Sequence, residues 1–258
     1  MAIHPTAIVD SNAEIASDAE IGPYCIVGAG VTIGPRTRLV AHVFLEGKLT
    51  IGEDNLFYPY CSCGVAPQDK KYKGEASETR IGDRNSIREF VTIHRGTEGG
   101  GMVTSIGDSN LLMAYVHVAH DVRIANHTIL ANGVTFAGHV IVDDYANIGG
   151  LSAIHQFCRI GRHAIVGSYS VIKQDVLPYS ITASDHNAEV YGANRIGLER
   201  TGYSDQAIEA LQNALRILTR AGLNTTQALA RIEEKVPKTP EIAHLIEFIG
   251  ASRNGFVK

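Results

Sequence analysis

Apolar residues recur at every sixth position from the start of the chain. Ile3, Val9, Ile15, Ile21, Val27, Ile33, Leu39, Leu45, Ile51, Phe57 and Cys63 form one unbroken series. The count resumes at Ile81, Ile87 and Ile93. It then runs from Ile106 through Leu112, Val118, Ile124, Leu130, Phe136, Val142, Ile148, Ile154, Ile160 and Val166 to Ile172. Roughly half of the residues in an ordinary chain are apolar, so twelve consecutive hits arise by chance about once in several thousand starting frames. A period of six matches neither the 3.6 of an α-helix nor the 2 of a long strand. It matches a short strand and a turn, repeated. Three hexads close a triangular coil, and coils stacked ~4.8 Å apart form a parallel β-helix with each sixth side chain pointing inward. Gly follows Ile21, Val27, Ile33 and Ile51, as suits corners that need an unusual φ or a close backbone approach.

Two segments break the rhythm. Residues 64–80, "GVAPQDKKYKGEASETR", lack apolar residues at 69 and 75, and residues 94–105, "HRGTEGGGMVTS", shift the phase by one. Both predict loops that leave the prism, and loops on a rigid scaffold often carry binding groups. Near Pro178 the hexads stop. Ile208, Leu211, Leu215 and Leu218 then follow a helical spacing, with Ser204 as N-cap and Gly222 just past the end. Leu229, Ile232 and Val236 predict a second helix stopped by Pro237. Ile242, Leu245, Ile246 and Ile249 predict a third, starting after Pro240 and ending at Gly250. The expected chain is mainly β, a parallel β-helix over residues 1–186 followed by a helical domain over 187–258.

The composition narrows the setting. The 258 residues carry 23 Lys and Arg against 27 Asp and Glu, a net charge of −4, with no basic stripe. Nucleic acid is therefore not an expected partner. The opening "MAIHPTAIVD" lacks a basic stretch followed by an apolar run, which argues against a secretory signal. No apolar run approaches a membrane-spanning length. Cys25, Cys61, Cys63 and Cys158 show no zinc-type pairs and no disulfide framework, so they read as core residues of a cytoplasmic protein.

The hexad register places the candidate chemistry. In "HVAHD", Val118 is an inward residue, so His120 lies two positions on. Gly138 follows Phe136, and Gln156 follows Ile154, in the same way. His120, Gly138 and Gln156 therefore form one column along a prism edge, flanked by His139 and His155, with His117 just before Val118. Histidine suits a general base near neutral pH. A glycine one coil away offers an unobstructed N–H to an oxyanion. Adjacent strand residues face opposite sides, so Asp121 can orient His120 only at a corner.

The hexads resemble the hexapeptide-repeat acyltransferase superfamily, which implies left-handed coils and trimers with active sites between neighbouring prisms. Some trimers of similar β-prisms are zinc-type carbonic anhydrases with three His ligands at subunit interfaces. Their histidines resemble H-x4-H, whereas the spacing here is H-x2-H, so no metal is expected. "PQDKKYKGE", "IGDRNSIREFVTIHRGT", "NLLMAYVHVAHD", "ILANGVTFAGHVIVDDYANIGG" and "IHQFCRIG" resemble more specifically the UDP-N-acetylglucosamine acyltransferase family of lipid A synthesis. This resemblance implies transfer of a (R)-3-hydroxyacyl group from acyl carrier protein to the sugar 3-hydroxyl, without a cofactor, in the cytoplasm. It assigns His120 as base and Gly138 as oxyanion donor. Asp69 and Lys71 match residues around the glucosamine; His117, His139, His155 and Gln156 match sugar-nucleotide or acyl contacts. His186, Asn194 and Arg200 match the nucleotide end, and Ser168 the position that limits acyl length. Ile196 and Thr201 depart from the family, which carries a Glu and a second Arg there. Two other readings stay open: an acetyl-CoA-dependent acetyltransferase on a nucleotide sugar, and a non-catalytic prism that binds a partner.

Overall fold

A computed structural model describes residues 2–184 and 188–258. Its first part is a left-handed parallel β-helix. Among the described residues, short strands stack into three sheets of eleven, nine and eight strands, one on each face of a triangular prism. The inward residues stand in register from coil to coil. On the first face Ile3 pairs with Ile21, Ile21 with Leu39, Leu39 with Phe57, and Phe57 with Ile87. On the second, Val118 pairs with Phe136 and Phe136 with Ile154. On the third, Ile51 pairs with Ile81 and Ile81 with Ile106. Nearly all are buried in one continuous core, and full burial of such a side chain is worth ~1.5–3 kcal/mol. Ile3, in the first described coil, is exposed.

Polar residues inside the prism also stack. The Asn55 carboxamide oxygen accepts from the Asn85 backbone N–H at 2.9 Å, and that of Asn85 accepts from the Asn110 N–H at 2.9 Å. This ladder satisfies buried amides that would otherwise be unpaired. The corners are the other regularity. The third residue after an inward residue repeatedly adopts positive φ: Tyr24 59°, Tyr115 65°, Asp121 61°, His139 62°, Tyr145 60° and Phe157 66°. Stacked rings line these corners, as in Tyr24, His42, Tyr60, Phe90 and Tyr115, with neighbouring centroids 4.9–5.0 Å apart. The glycine after an inward residue serves a different need. A Cβ at Gly22 would fall onto the carbonyl oxygen of Val40 in the next coil, so close approach rather than φ selects glycine there.

Both breaks in rhythm are excursions. The strands Ser62–Val65 and Glu78–Ile81 flank the first, and a 3-10 turn, Glu98–Gly100, forms the tip of the second. The two are tied together. The Arg95 guanidinium donates to the Tyr72 hydroxyl at 3.0 Å and to the Gly64 carbonyl at 3.2 Å.

After the last coil, Ser180–Ser184 pairs antiparallel with Ala188–Ala193. Four helices follow: α1 (Arg195–Arg200), α2 (Asp205–Arg220), α3 (Thr225–Lys235) and α4 (Pro240–Gly250). Ser204 caps α2 through its side chain, as expected. Pro240 is the first residue of α4 rather than the one before it, because its missing N–H is harmless there. The hairpin and α1 lie where the hexads have ended and no helical period has begun. Residues 186 and 187, the expected division between domains, lie outside the described residues. The two hydrophobic cores separate between Val176 and Leu177. No helix among the described residues is long and apolar enough to cross a membrane.

Candidate active site

The corner after Val118 brings His120 and Asp121 together. Positive φ at Asp121 turns its carboxylate back under the preceding ring, and His120 Nδ1 donates to Asp121 Oδ2 at 2.8 Å. Because a carboxylate only accepts, the proton of this contact sits on Nδ1, which in the neutral ring leaves Nε2 its lone pair. Nε2 has no hydrogen-bond partner among the described residues. Asp121 is 3% exposed and held on several sides. Its Oδ1 accepts from the Thr97 N–H at 2.8 Å, its Oδ2 accepts from the Thr97 hydroxyl at 2.5 Å, and its own N–H donates to Thr104 Oγ1 at 2.7 Å.

Gly138 lies one coil further along. A Cβ built on it would sit 2.5 Å from His120 Cε1 and 2.8 Å from Nε2, so the ring edge rests on the glycine itself. Among the described residues its N–H donates to no backbone acceptor. A lone pair and a free amide donor thus share one edge of the prism.

These groups open into a cleft of about 520 Å³ on the second face, with His94, His117, His155, Gln68 and Lys173 in its walls. His117 Nδ1 pairs with the Thr92 hydroxyl at 2.8 Å. His139 stands edge-on to His120 with centroids 5.1 Å apart and stacks on Phe157 at 4.6 Å. Burial lowers the pKa of His94 to about 4, helped by His117 and His120. Burial also lowers His117, and it outweighs the opposing pull of Asp121 and Asp69 on His139. These rings are therefore neutral at pH 7. Burial pushes the Cys61 and Cys158 thiols up to about 12. All four cysteines are free and buried, which suits packing and not nucleophilic attack.

Among the described residues, His120, Asp121 and His139 have ligand-type atoms within 4.8 Å of one another. Two of those atoms already form the hydrogen bond between His120 and Asp121, so this trio fits an oriented base better than a cation cage.

The other expected site residues are dispersed. Asp69 and Lys71 lie on the first excursion, where the Asp69 carboxylate accepts from the Lys71 N–H at 2.9 Å. Gln156 is exposed, and its backbone carbonyl accepts from His155 Nδ1 at 3.3 Å. Ser168 is exposed on a different edge. Asn194 and Arg200 line a second cleft, of about 680 Å³, against the outer side of the first face. There Asn194 is buried, caps α1 by accepting from the Gly197 N–H at 3.1 Å, and donates to the His163 carbonyl at 2.9 Å. Ile196 and Thr201, the departures from the family, line the same cleft. His186 lies outside the described residues.

Gln68, His94, Thr97 and Lys173 were not anticipated. For two of them the signal was present. His94 and Lys173 directly follow inward residues of the second face, as Ala119, Ala137 and His155 do, one position before the column of His120, Gly138 and Gln156. Gln68 and Thr97 belong to the excursions, where no period locates a side chain.

Comparison with known proteins agrees with this architecture. Residues 175–257 match the family described as UDP N-acetylglucosamine O-acyltransferase, domain 2, and residues 2–35 and 104–138 match bacterial transferase hexapeptide (six repeats). The acyl-(acyl-carrier-protein)–UDP-N-acetylglucosamine O-acyltransferase of Thermodesulfovibrio yellowstonii is 49% identical over 256 residues, 99% of each chain. The crystal structure of UDP-N-acetylglucosamine O-acyltransferase from Moraxella catarrhalis RH4 is 45% identical and superposes with a TM-score of 0.95 over 100% of both chains. LpxA from Acinetobacter baumannii is 42% identical, with a TM-score of 0.96 over 99% of both.

Proposed function

The chain belongs to the acyl-(acyl-carrier-protein)–UDP-N-acetylglucosamine O-acyltransferases, and on that premise we propose that it uses His120 as general base to move a (R)-3-hydroxyacyl group from acyl carrier protein to the 3-hydroxyl of UDP-N-acetylglucosamine. This is the opening reaction of lipid A synthesis, in the cytoplasm. Nε2 of His120 takes the hydroxyl proton as the oxygen attacks the thioester carbonyl. Asp121 stabilises the imidazolium that forms. The oxyanion is met by the Gly138 N–H. The tetrahedral intermediate then expels the thiolate, which receives the proton from His120. The ester forms in one transfer, with no acyl-enzyme, no metal and no other cofactor.

The observation that carries this reading is the 2.8 Å contact of His120 Nδ1 with Asp121, which leaves the Nε2 edge of the ring against Gly138. The separation of the two clefts supports a homotrimer. The base lies on the second face, and Asn194 with Arg200, at the two ends of α1, line the cleft against the first. A neighbouring prism that presents its first face to this second face would complete a site for a sugar nucleotide. Arg200 suits the diphosphate because guanidinium binds phosphate in bidentate fashion.

The experiment is incubation with UDP-N-acetylglucosamine and 3-hydroxyacyl carrier protein, followed by mass spectrometry, on the wild type and His120→Ala. We expect the O-acylated nucleotide from the wild type and a rate ~10²–10⁴-fold lower from the variant. A near-native rate for His120→Ala would remove the base from this mechanism.

A further inference from the structure

We propose that Thr97, at the tip of the second excursion, is a positioning residue for the base, acting through Asp121 in a contact that requires glycine at position 100. This rests on His120 being the base. Thr97 stands at the start of the turn Glu98–Gly100, where a threonine hydroxyl ordinarily caps the turn. Here it makes no such cap. Instead its hydroxyl donates to Asp121 Oδ2 at 2.5 Å and its N–H donates to Oδ1 at 2.8 Å. Both oxygens are thereby held, and Oδ2 is the same atom that accepts from His120 Nδ1.

The turn closes over this carboxylate. A Cβ on Gly100 would overlap the Asp121 carboxyl group itself, so any side chain there must displace Asp121 or the turn. The Gly100 and Met102 N–H groups both donate to the Thr97 carbonyl, at 3.1 and 2.9 Å, and hold the tip closed. Excluding water from Asp121 strengthens its interaction with an imidazolium. His139 gives the fixation a purpose. Its Nδ1 lies 3.8 Å from the same Oδ2. A carboxylate free to rotate would have two imidazoles to choose between, and the Thr97 pair holds it on His120. The insertion that breaks the hexad phase thus orients the base from outside the prism.

The test compares steady-state kinetics of Thr97→Val, Thr97→Ser and Gly100→Ala, with His120→Ala as reference, in the full-length protein. Thr97→Val keeps the shape and the backbone N–H but removes the hydroxyl. A hydrogen bond to a charged group is large enough that kcat should fall about 10- to 100-fold, while KM for UDP-N-acetylglucosamine stays within about twofold. Thr97→Ser should recover most of kcat, and Gly100→Ala should lose it. The His120 Nδ1 proton resonance should weaken or disappear in Thr97→Val and Gly100→Ala but persist in Thr97→Ser. If His120→Ala is inactive while Thr97→Val and Gly100→Ala keep full kcat and the resonance, this proposal is wrong and the base stands. If His120→Ala is active, the base reading itself fails. Should Thr97→Val not fold, Gly100→Ala against Thr97→Ser decides: equal, near-native kcat in both overturns the proposal.

Discussion

Gly138→Ala separates the position of the base from the stability of the fold. Its Cβ would start 2.5 Å from His120 Cε1, 2.8 Å from Nε2 and 3.1 Å from Nδ1, whereas ordinary contacts begin at 3.4 Å. The ring or the corner must yield by about 1 Å. A displacement of that size at a reacting group costs about 10²-fold in rate. The backbone is not the obstacle, since Gly138 does not adopt the left-handed φ that disfavours alanine. The oxyanion donor also survives, because alanine keeps the N–H. Gly→Ala at a compatible position stabilises by ~0.4–1 kcal/mol through the unfolded chain, which offsets part of the local crowding. We expect kcat/KM to fall about 100-fold while the melting temperature moves by no more than about 5 °C. The assay pairs initial rates of acyl transfer with thermal unfolding of the same preparation. Native kcat/KM would refute the argument that the ring rests on this glycine. A collapse of stability would refute the claim that the loss is local.

Three further outcomes can be measured. His163 is 4% exposed, and burial lowers its pKa to about 4, with Arg162 adding to the effect. The unfolded chain, near 6.5, binds the proton first, so stability is lost as pH falls below ~6.5 and the loss ends near 4. From pH 7 to 5 this amounts to about 2 kcal/mol, and His163→Phe should flatten the urea-midpoint profile by that much; an unchanged slope would count against it. Ser168→Gly should shift the preferred 3-hydroxyacyl donor to longer chains, because each buried CH₂ is worth ~0.8 kcal/mol; competing donors of graded length, with an identical profile for both forms, would assign the limit to another residue. Sedimentation should give the mass of a trimer, and a fully active monomer would exclude a shared site.

The inward residues were legible from the chain alone because each hexad repeats one local geometry. Stacking that geometry pairs Ile51 with Ile81 and Val118 with Phe136 whatever leaves the prism between them. The excursions were legible as failures of the count, and α2 and α4 as a change of period with cap residues at their ends. The column of His120 and Gly138 followed from the same register. Contacts that depend on φ or on chain far away in sequence were not legible. Asp121 reaches His120 only because its corner has positive φ, which a strand-based reading makes improbable for a residue other than glycine. Thr97 and Gly100 meet Asp121 across more than twenty residues, through an aperiodic loop that has no local signal for direction. Asn194 matches a nucleotide contact by sequence, but no local signal shows that its amide also caps α1 and bonds the His163 carbonyl. Periodicity determined which side chains face the core, since burial acts on every repeat alike. Tertiary structure decided which polar atoms meet, since a hydrogen bond depends on angstrom-scale placement that no repeat length encodes.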